Sequence, residues 1–447
     1  MKFIRKRFSI TKYLSLFFLI LFLILFFLTF LISEILMQGE MRNTFLKYYL
    51  ISFFGLFFWS LVIRLREEIQ SNILTIFISL LVGLFTIEII LNFWQRPLEH
   101  KSASLLAIEY DERTKLEVIQ DLISEGVDAV PVITPSDVLD LYEDFMPLGG
   151  ISNKTTVGIN ETGVRMVYFS DRYGFNNPDS EWDSEEIQWL LTGDSFAEGV
   201  AVKPGEDIAS QIRLITQNSV INLGRSGNGP LMDLAELSEY ANKLQPKKVL
   251  WLYYEANDLK SDFIRDQKNN LLMRYLEDDF SQNLINRQDE IDSRLEAFVY
   301  KVIDQEKRLS LLQKTSWVRL NAIKTLFSSF KSVDYEINPK HSLFIKILKK
   351  AKNRVEGWGG KVYFVYLPMR QRYNDEFISH DEYLKKSEVI DLVKSLGIQV
   401  IDIHQEVFIK DKDPFDLFSL RIGRHYNANG YAKVAKEIVL GVKEIEQ

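Results

Sequence analysis

Three long apolar stretches in the first 94 residues constrain this 447-residue chain more than any other feature. They run from about Leu14 to Met37, from about Phe45 to Ile63 and from about Ile73 to Trp94. Each is long enough to cross the hydrocarbon core of a bilayer, which is about 30 Å thick and takes about 20 helical residues. The first is too long for a cleaved signal peptide, and no small-residue cleavage site follows it. The sequence therefore predicts a three-span transmembrane region at residues 1–94.

The distribution of basic residues predicts how these spans are oriented. The residues that precede the first span or separate the second from the third are Lys2, Arg5, Lys6, Arg7, Lys12, Arg64 and Arg66. The loop between the first and second spans carries only Arg42. Because basic loops stay on the cytoplasmic side, we expect a cytoplasmic N-terminus. Three crossings of the inner (cytoplasmic) membrane then place everything after Trp94 in the extracytoplasmic or periplasmic space.

Charge and cysteine content exclude several classes of protein. The formal net charge is −7, and acidic and basic residues are mixed after residue 100. A nucleic-acid partner is not expected, because it would require a basic face. The chain contains no cysteine, which rules out disulfides, thiolate metal sites and cysteine nucleophiles.

The second half of the chain alternates short apolar runs with amphipathic segments. The predicted buried strands are residues 187–192, 219–224, 248–255, 361–368 and 398–403. Near-continuous apolar strands separated by helices predict a three-layer α/β fold, in which helices cover both faces of a parallel sheet. We assign residues 187–447 to this domain, with a helical insertion at about 260–353. Residues 95–186 are predicted to be a connector, with a small β-rich lead-in at 149–179.

The segment "WLLTGDSFAEGV" (189–200) places a serine directly after the first of these strands. Functional groups of parallel sheets collect at the carboxyl ends of the strands, so Ser195 lies at that edge. Gly193 permits a sharp turn, and a helix that begins after Ser195 would direct backbone N–H groups toward it. A serine in this setting can be a nucleophile if a base reaches it. The simpler interpretation is that Ser195 only caps the helix.

Three further features favour the nucleophile. "NLGRSGNGP" (222–230) follows the second strand and brings Gly227, and "EANDL" (255–259) ends the third and brings Asn257 with Asp258. "RHYNANGY" (424–431) lies before the last helix and brings His425. This ordered set resembles the GDSL, or SGNH, hydrolase superfamily over about residues 187–442, with Ser195, Gly227, Asn257 and His425 as its four defining residues. The segment "SDRYGFNNPD" (170–179) resembles what precedes this block in membrane-anchored members linked to envelope polysaccharide.

The resemblance implies a mechanism that these residue types support. Ser195 would attack an ester carbonyl, and His425 would accept its proton and return it to the leaving alcohol. The N–H groups of Ser195 and Gly227 and the Asn257 amide would form the oxyanion hole. Asp194 would brace the turn through hydrogen bonds. The implied activity is that of a serine esterase or O-acyltransferase.

The chain departs from the family pattern at two positions. Ile422 stands where the family has the aspartate that orients the histidine, so a backbone carbonyl, Asp413 or Asp416 remain candidates for that task. Glu255 replaces the glycine of the third motif. A rival base is His404, which lacks the Asn-Gly turn of His425 and which we interpret as structural.

These patterns lead to a functional hypothesis. We expect an enzyme acting on acyl, chiefly acetyl, esters of an extracytoplasmic glycan or lipid-linked saccharide, with the bilayer and a membrane acyltransferase as partners. The histidines do not cluster at metal-ligand spacing, and we expect no metal or other cofactor. The alternatives are a non-catalytic glycan-binding or scaffolding subunit of a polysaccharide machinery, motivated by Ile422 and Glu255, and a transporter or sensor built from the spans.

Overall fold

A computed structural model of the chain describes residues 10–36, 39, 42–94, 98–139, 141, 144–313, 338, 341–374 and 385–447. The chain divides into two compact units. Residues up to Gln95 belong to the first unit, whereas Arg96–Gln313 and Ser332–Gln447 form the second.

The first unit contains the three predicted membrane helices. They are α1 (Ile10–Phe30, continued by a π-helical turn at Leu31–Leu36), α2 (Arg42–Val62) and α3 (Glu67–Trp94). All three are long and apolar enough to cross a membrane. Phe18 of α1 stacks on Trp59 of α2, with ring centroids 4.9 Å apart. Most other large apolar side chains of these helices are exposed, as expected for surfaces that face lipid.

The second unit contains eight strands in the part of the chain that the structure describes. They are β1 (Ala129–Pro131), β2 (Thr155–Asn160), β3 (Arg165–Phe169), β4 (Trp189–Thr192), β5 (Val220–Asn222), β6 (Lys248–Tyr254), β7 (Lys361–Leu367) and β8 (Gln399–Asp402). The last five form one parallel sheet in the order β5-β4-β6-β7-β8, which confirms the five predicted strands and the α/β fold.

The helices of the second unit are α4 (Leu98–Leu105), α5 (Lys115–Ser124), α6 (Pro135–Val138), α7 (Ser195–Glu198), α8 (Ile208–Thr216), α9 (Pro230–Glu236), α10 (Asn242–Leu244), α11 (Ser261–Asp266), α12 (Asn270–Met273), α13 (Gln288–Gln313), α14 (Ser342–Gly357), α15 (Lys386–Ser395) and α16 (Ala428–Glu446). The π-helical turns are Leu237–Ala241 and His404–Phe408. The 3-10 turns are Asp179–Asp183, Arg274–Leu276, Leu284–Asn286, Arg370–Tyr373, Pro414–Leu417 and Ser419–Arg421.

Helices cover both faces of the parallel sheet. Strand β4 is buried at every residue, and β6 and β7 are buried at all but the first. Helix α8 packs against α16, and α9 packs against α14. Apolar side chains facing both directions from a strand require this double cover, because each buried Val or Leu contributes about 1.5–3 kcal/mol.

The predicted β-rich lead-in forms a hairpin beside this sheet. Strands β2 and β3 pair antiparallel, and β1 adds to β2 in parallel. Helix α5 begins with a capping box between Thr114 and Glu117. Apolar residues of this part of the chain, among them Ile133 and Phe175, join the main core.

The predicted helical insertion at about 260–353 contains α11, α12, α13 and the larger part of α14. Residues 314–337 and 339–340 of that insertion lie outside the described residues. Leu284, Ile291, Leu295 and Phe344 are buried in the main core. The described part of the insertion is therefore packed onto the sheet domain.

Candidate active site

Ser195 occupies the sharp turn predicted between β4 and the helix that follows it. Gly193 has a φ of 147°, and a Cβ at this position would lie 2.8 Å from the Leu252 carbonyl oxygen. Only glycine avoids this contact, so the turn can pass close to β6. Helix α7 begins at Ser195 but is a single turn, because Gly199 ends it in the left-handed conformation. Its contribution to a local positive potential is correspondingly small.

Asp194, and not Ser195, caps this helical turn. The Asp194 carboxylate accepts the backbone N–H of Phe196 at 2.9 Å. The simpler interpretation of Ser195 as a helix cap is therefore wrong, and its hydroxyl is available for another partner. Asp194 is buried, and burial raises the pKa of its carboxyl above the ordinary value.

His425 provides that partner. The distance between Ser195 Oγ and His425 Nε2 is 2.8 Å. A hairpin-like loop holds the imidazole, because Ser419 N donates to the His425 carbonyl at 2.9 Å and the Tyr426 hydroxyl donates to the Pro368 carbonyl at 2.7 Å. The ring of Phe196 lies against the imidazole, with centroids 5.0 Å apart. The structure thus brings together two predicted site residues that are 230 positions apart.

Glu161, in the turn between β2 and β3, is the third member of this arrangement. One carboxylate oxygen lies 2.5 Å from His425 Nδ1, and the other accepts the backbone N–H of His425 at 2.8 Å. Gly423 permits the approach, because a Cβ there would lie 2.5 Å from Glu161 Oε1. Glu161 was not among the predicted site residues, because no local pattern links "NETG" (160–163) to a loop near the C-terminus.

The hydrogen bonds define how the histidine is protonated. A carboxylate can only accept, so Nδ1 of His425 carries the hydrogen that bonds to Glu161. Nε2 of the neutral ring then accepts the hydroxyl hydrogen of Ser195. Burial opposes ionisation of Glu161, but the hydrogen bonds that the ring and the backbone of His425 donate outweigh it and lower the pKa of Glu161 below its ordinary value. Serine, neutral imidazole and ionised carboxylate therefore form one hydrogen-bonded chain.

Gly227 lies in a turn that a buried ion pair fixes to α7. The Arg225 guanidinium and the Glu198 carboxylate are 3.0 Å apart, and each side chain is 1% exposed. Glu198 also accepts the backbone N–H of Ser226 at 2.8 Å. Gly224 packs against Ala197, where a Cβ would approach within 2.2 Å. The turn that carries Gly227 is thus held against the helix that begins at Ser195.

The turn that carries Gly227 is hydrogen-bonded to the turn that carries Ser195. Arg225 N donates to the Gly193 carbonyl at 3.2 Å, which joins the two turns directly. Within the described parts of the chain, the backbone N–H groups of Ser195 and Gly227 have no protein acceptor. Unpaired backbone N–H groups are the elements from which oxyanion holes are built, so Ser195 and Gly227 remain the candidate donors.

Asn257 and Asp258 follow β6 at the same edge, but their contacts differ from the expectation. The Asn257 amide donates to Asp194 Oδ2 at 3.1 Å and to Asp262 Oδ2 at 2.7 Å. Both of its hydrogens are therefore bound by carboxylates. Asp258 is buried and accepts the backbone N–H of Tyr254 at 2.9 Å, so it closes the turn after the strand. Burial raises the pKa of Asp258 well above its ordinary value.

The candidates proposed to orient His425 have other partners. Asp413 and Asp416 both form ion pairs with Arg421, and the imidazole is bound by Glu161. The expectation that Asp413, Asp416 or a backbone carbonyl performs this task was wrong. The reason is that the acid comes from the lead-in hairpin, outside the part of the chain that resembles the hydrolase family.

His404 and Glu255 have structural partners. His404 Nδ1 and the Tyr373 hydroxyl are 2.9 Å apart, and the ring is buried. Glu255 pairs with Arg372 at 2.5 Å and accepts the backbone N–H of Met369 at 2.8 Å. The glutamate that replaces the family's glycine therefore ties the end of β6 to the loop after β7. Within the described ranges, no group of three or more His, Asp or Glu side chains is arranged to hold a metal ion.

Comparisons with known proteins add fold similarities only. The sequence matches no protein-family model and no curated protein. A lipase/acylhydrolase from Enterococcus faecalis is 14% identical, with a TM-score of 0.32 over 58% of this chain and 96% of that one. A GDSL-like lipase from Bacteroides thetaiotaomicron VPI-5482 is 10% identical, with a TM-score of 0.32 over 58% and 90%. A two-domain esterase active on acetylated mannans is 11% identical, with a TM-score of 0.32 over 60% and 51%.

Proposed function

We propose that this chain is a membrane-anchored serine hydrolase or acyltransferase that acts on acyl esters. The observation that carries the proposal is the hydrogen-bonded chain Ser195–His425–Glu161, with distances of 2.8 and 2.5 Å. A hydroxyl, an imidazole and a carboxylate in this order constitute a catalytic triad, which is recognised by geometry and not by sequence position.

The residues can perform acyl transfer in two steps. Ser195 Oγ attacks the ester carbonyl carbon while His425 Nε2 takes its proton, and the ionised Glu161 stabilises the imidazolium that forms. The tetrahedral intermediate collapses when His425 gives that proton to the leaving alcohol, and an acyl-serine remains. Water or a sugar hydroxyl then attacks the acyl carbon while His425 takes its proton, and the bond to Ser195 Oγ breaks as His425 returns that proton to the serine. The N–H groups of Ser195 and Gly227, and the Asn257 amide once it is free, would stabilise the oxyanion.

Glu161 weakens the case for a non-catalytic glycan-binding subunit. That alternative was motivated by Ile422, which removes the family's usual acid. Glu161 supplies a carboxylate to the same nitrogen of His425 from another part of the chain. An intact triad of buried or half-buried side chains has no evident structural purpose, so the enzyme is the better-supported function.

The predicted membrane orientation supports a substrate class. An enzyme anchored with its second unit on the extracytoplasmic side would meet acyl esters chiefly on envelope glycans and lipid-linked saccharides. We therefore propose acyl, chiefly acetyl, groups of such a saccharide as the substrate. A membrane acyltransferase is the proposed partner, since it could supply or receive the acyl group.

Two experiments test this function. A fluorophosphonate probe should label the full-length protein in membranes and the matched Ser124→Ala variant, but not Ser195→Ala. Equal labelling of Ser195→Ala would remove the nucleophile. Mass spectrometry of envelope glycans from cells that lack the protein then separates the two reactions. An increase in acyl groups indicates an esterase, a decrease indicates a transferase, and unchanged glycans contradict this substrate class.

A further inference from the structure

The amide of Asn257 is in a position where it cannot serve an oxyanion without first releasing a carboxylate. Its nitrogen donates one hydrogen bond to Asp194 Oδ2 at 3.1 Å and one to Asp262 Oδ2 at 2.7 Å. Rotating the amide by half a turn would place its oxygen against both carboxylates, so this orientation is the only favourable one. The Asn257 oxygen itself is buried without a partner among the described residues. An amide nitrogen has only two hydrogens, and both are in use.

The two carboxylates hold Asn257 with different consequences for the site. Asp194 also caps α7 through Phe196 N at 2.9 Å, so it cannot move without disturbing the serine turn. Asp262 belongs to α11 and has Arg265 as a second partner, at 3.1 Å. If Asn257 turns away from Asp262, the Asp262 carboxyl keeps its hydrogen bond from Arg265. Asn257 in turn keeps its hydrogen bond to Asp194.

We propose that Asp262 is a positioning residue that withholds Asn257 from the oxyanion when it is ionised and releases it when it is protonated. The proposal deepens the function proposed above and rests on it. An ionised carboxylate competes directly with the oxyanion for the same amide hydrogen, because bonds to charged acceptors are about twice as strong as neutral ones. A protonated carboxyl is a weaker acceptor, and the amide can then turn toward the negative charge that develops on the substrate.

The surroundings of Asp262 make this protonation accessible near neutral pH. Its side chain is 10% exposed. The charged groups that face it are Arg265 and Asp266 of α11, Asp194 of the serine turn, Asp258 of the loop after β6 and Asp233 of α9. Burial, opposed by Arg265 and reinforced by the negative charges of Asp194 and Asp266, raises the pKa of Asp262 to about 7.

The direction of the effect follows from this titration. Below about pH 7 Asp262 is neutral and Asn257 is free to donate, whereas above it the ionised carboxylate holds the amide. The wild-type enzyme should therefore lose activity, relative to a variant with a permanently neutral residue 262, as the pH rises through this range. Losing one oxyanion donor typically costs about 10²–10³ in rate, and a donor that is held but not removed should cost less, roughly tenfold.

The test compares full-length wild type and Asp262→Asn, in detergent, with a chromogenic acetyl ester from pH 5.5 to 9. We expect the ratio of kcat/KM for Asp262→Asn over wild type to rise from about one to roughly ten across neutral pH. Taking the ratio removes the pH effects that the two proteins have in common. A flat ratio, or an Asp262→Asn variant slower than wild type at high pH, would overturn the proposal. If Asp262→Asn does not fold, Asp262→Ser provides the same comparison.

Asp266→Asn is the matched control, since it removes a neighbouring carboxylate that pairs with Arg265 but does not contact Asn257. It should keep the pH-dependent loss and move the midpoint to lower pH, because the Asp266 charge helps to raise the pKa of Asp262. An unmoved midpoint would contradict the assignment of the titrating group.

A spectroscopic measurement separates this proposal from the proposed function. In protein labelled with ¹⁵N-asparagine, the side-chain N–H resonances of Asn257 should titrate near pH 7 in wild type and not in Asp262→Asn. Titration without any ester turnover would retain the Asp262–Asn257 contact but refute the enzyme. Turnover without titration would refute the contact as a pH-dependent control.

Discussion

Glu161 Oε2 lies 2.5 Å from His425 Nδ1, although the two residues are 264 positions apart in the chain. The same carboxylate also accepts the backbone N–H of His425, so it fixes both the ring and the loop that carries it. A hairpin outside the parallel sheet thus supplies the acid of the proposed triad. The position three residues before the histidine, where the family that this part of the chain resembles has its acid, is occupied by Ile422.

Glu161→Gln should lower kcat by roughly 10²–10⁴-fold with little loss of folded protein. The two His425 donors lie on different oxygens of Glu161, so the NH2 group of glutamine would replace the acceptor of one of them, and the neutral amide does not stabilise an imidazolium. Steady-state hydrolysis of a chromogenic ester measures the effect. Asp413→Asn is the matched control, because that acid pairs with Arg421 on the partly exposed side of the histidine loop. A loss of similar size in Asp413→Asn would contradict the assignment.

The stability of the protein should depend on Glu161 in a defined pH range. The pKa of Glu161 is lower in the folded protein than its ordinary value of 4.5, so the ionised form is favoured by folding. The resulting stabilisation is complete above the ordinary value and disappears as the pH falls through the lower folded value. The difference in Tm between wild type and Glu161→Gln should therefore be constant from pH 6 to 7 and shrink below about pH 4.5. A difference that grows on acidification would contradict this contact.

His425 and His404 should respond differently to substitution. His425→Ala should abolish fluorophosphonate labelling and turnover, because it removes the base 2.8 Å from Ser195 Oγ. His404→Ala should keep turnover within a few-fold, since that ring bonds to Tyr373. The loss in His404→Ala should appear instead as a lower Tm, because a buried hydrogen bond and its packing are removed. Loss of labelling in His404→Ala alone would reverse the two roles.

The buried pair of Arg225 and Glu198 should be strongly coupled. Arg225→Met or Glu198→Gln alone leaves one charge without its partner in a dry environment, and we expect a loss of about 3–5 kcal/mol in the free energy of unfolding. The double variant should be less unstable than the sum of the two single losses. Urea denaturation followed by tryptophan fluorescence measures the cycle. Strict additivity would mean that the pair, with both side chains 1% exposed, contributes no coupling.

The membrane orientation can be tested directly because the chain has no cysteine. Lys203→Cys and Arg66→Cys each place one thiol at an exposed position, the first in the sheet-containing unit and the second between α2 and α3. A membrane-impermeant maleimide should label Lys203→Cys in intact cells and label Arg66→Cys only after permeabilisation. The opposite pattern would reverse the predicted orientation and the substrate class that depends on it.

The sequence by itself determined the local elements of this protein. The three apolar helices and the five strands of the parallel sheet can each be predicted from the length and the hydrophobic period of one continuous stretch of sequence. The placement of Ser195 and Asn257 at one edge also follows, because strands of a parallel sheet end on the same side, whereas the expectation for His425 came from the family resemblance. These inferences need only short-range patterns and one general rule of sheet topology.

Only the tertiary structure decided which groups complete the site. Glu161 reaches His425 because the β2–β3 hairpin and the loop before α16 pack together, and Asp194 reaches Asn257, 63 positions later in the chain, because the turns after β4 and β6 meet. Neither contact can be recognised from the local sequence, because a carboxylate on a turn gives the same pattern whether or not it reaches the site. Such pairs depend on where whole elements lie in space, and that placement results from packing of the entire core and not from the residues that flank each partner.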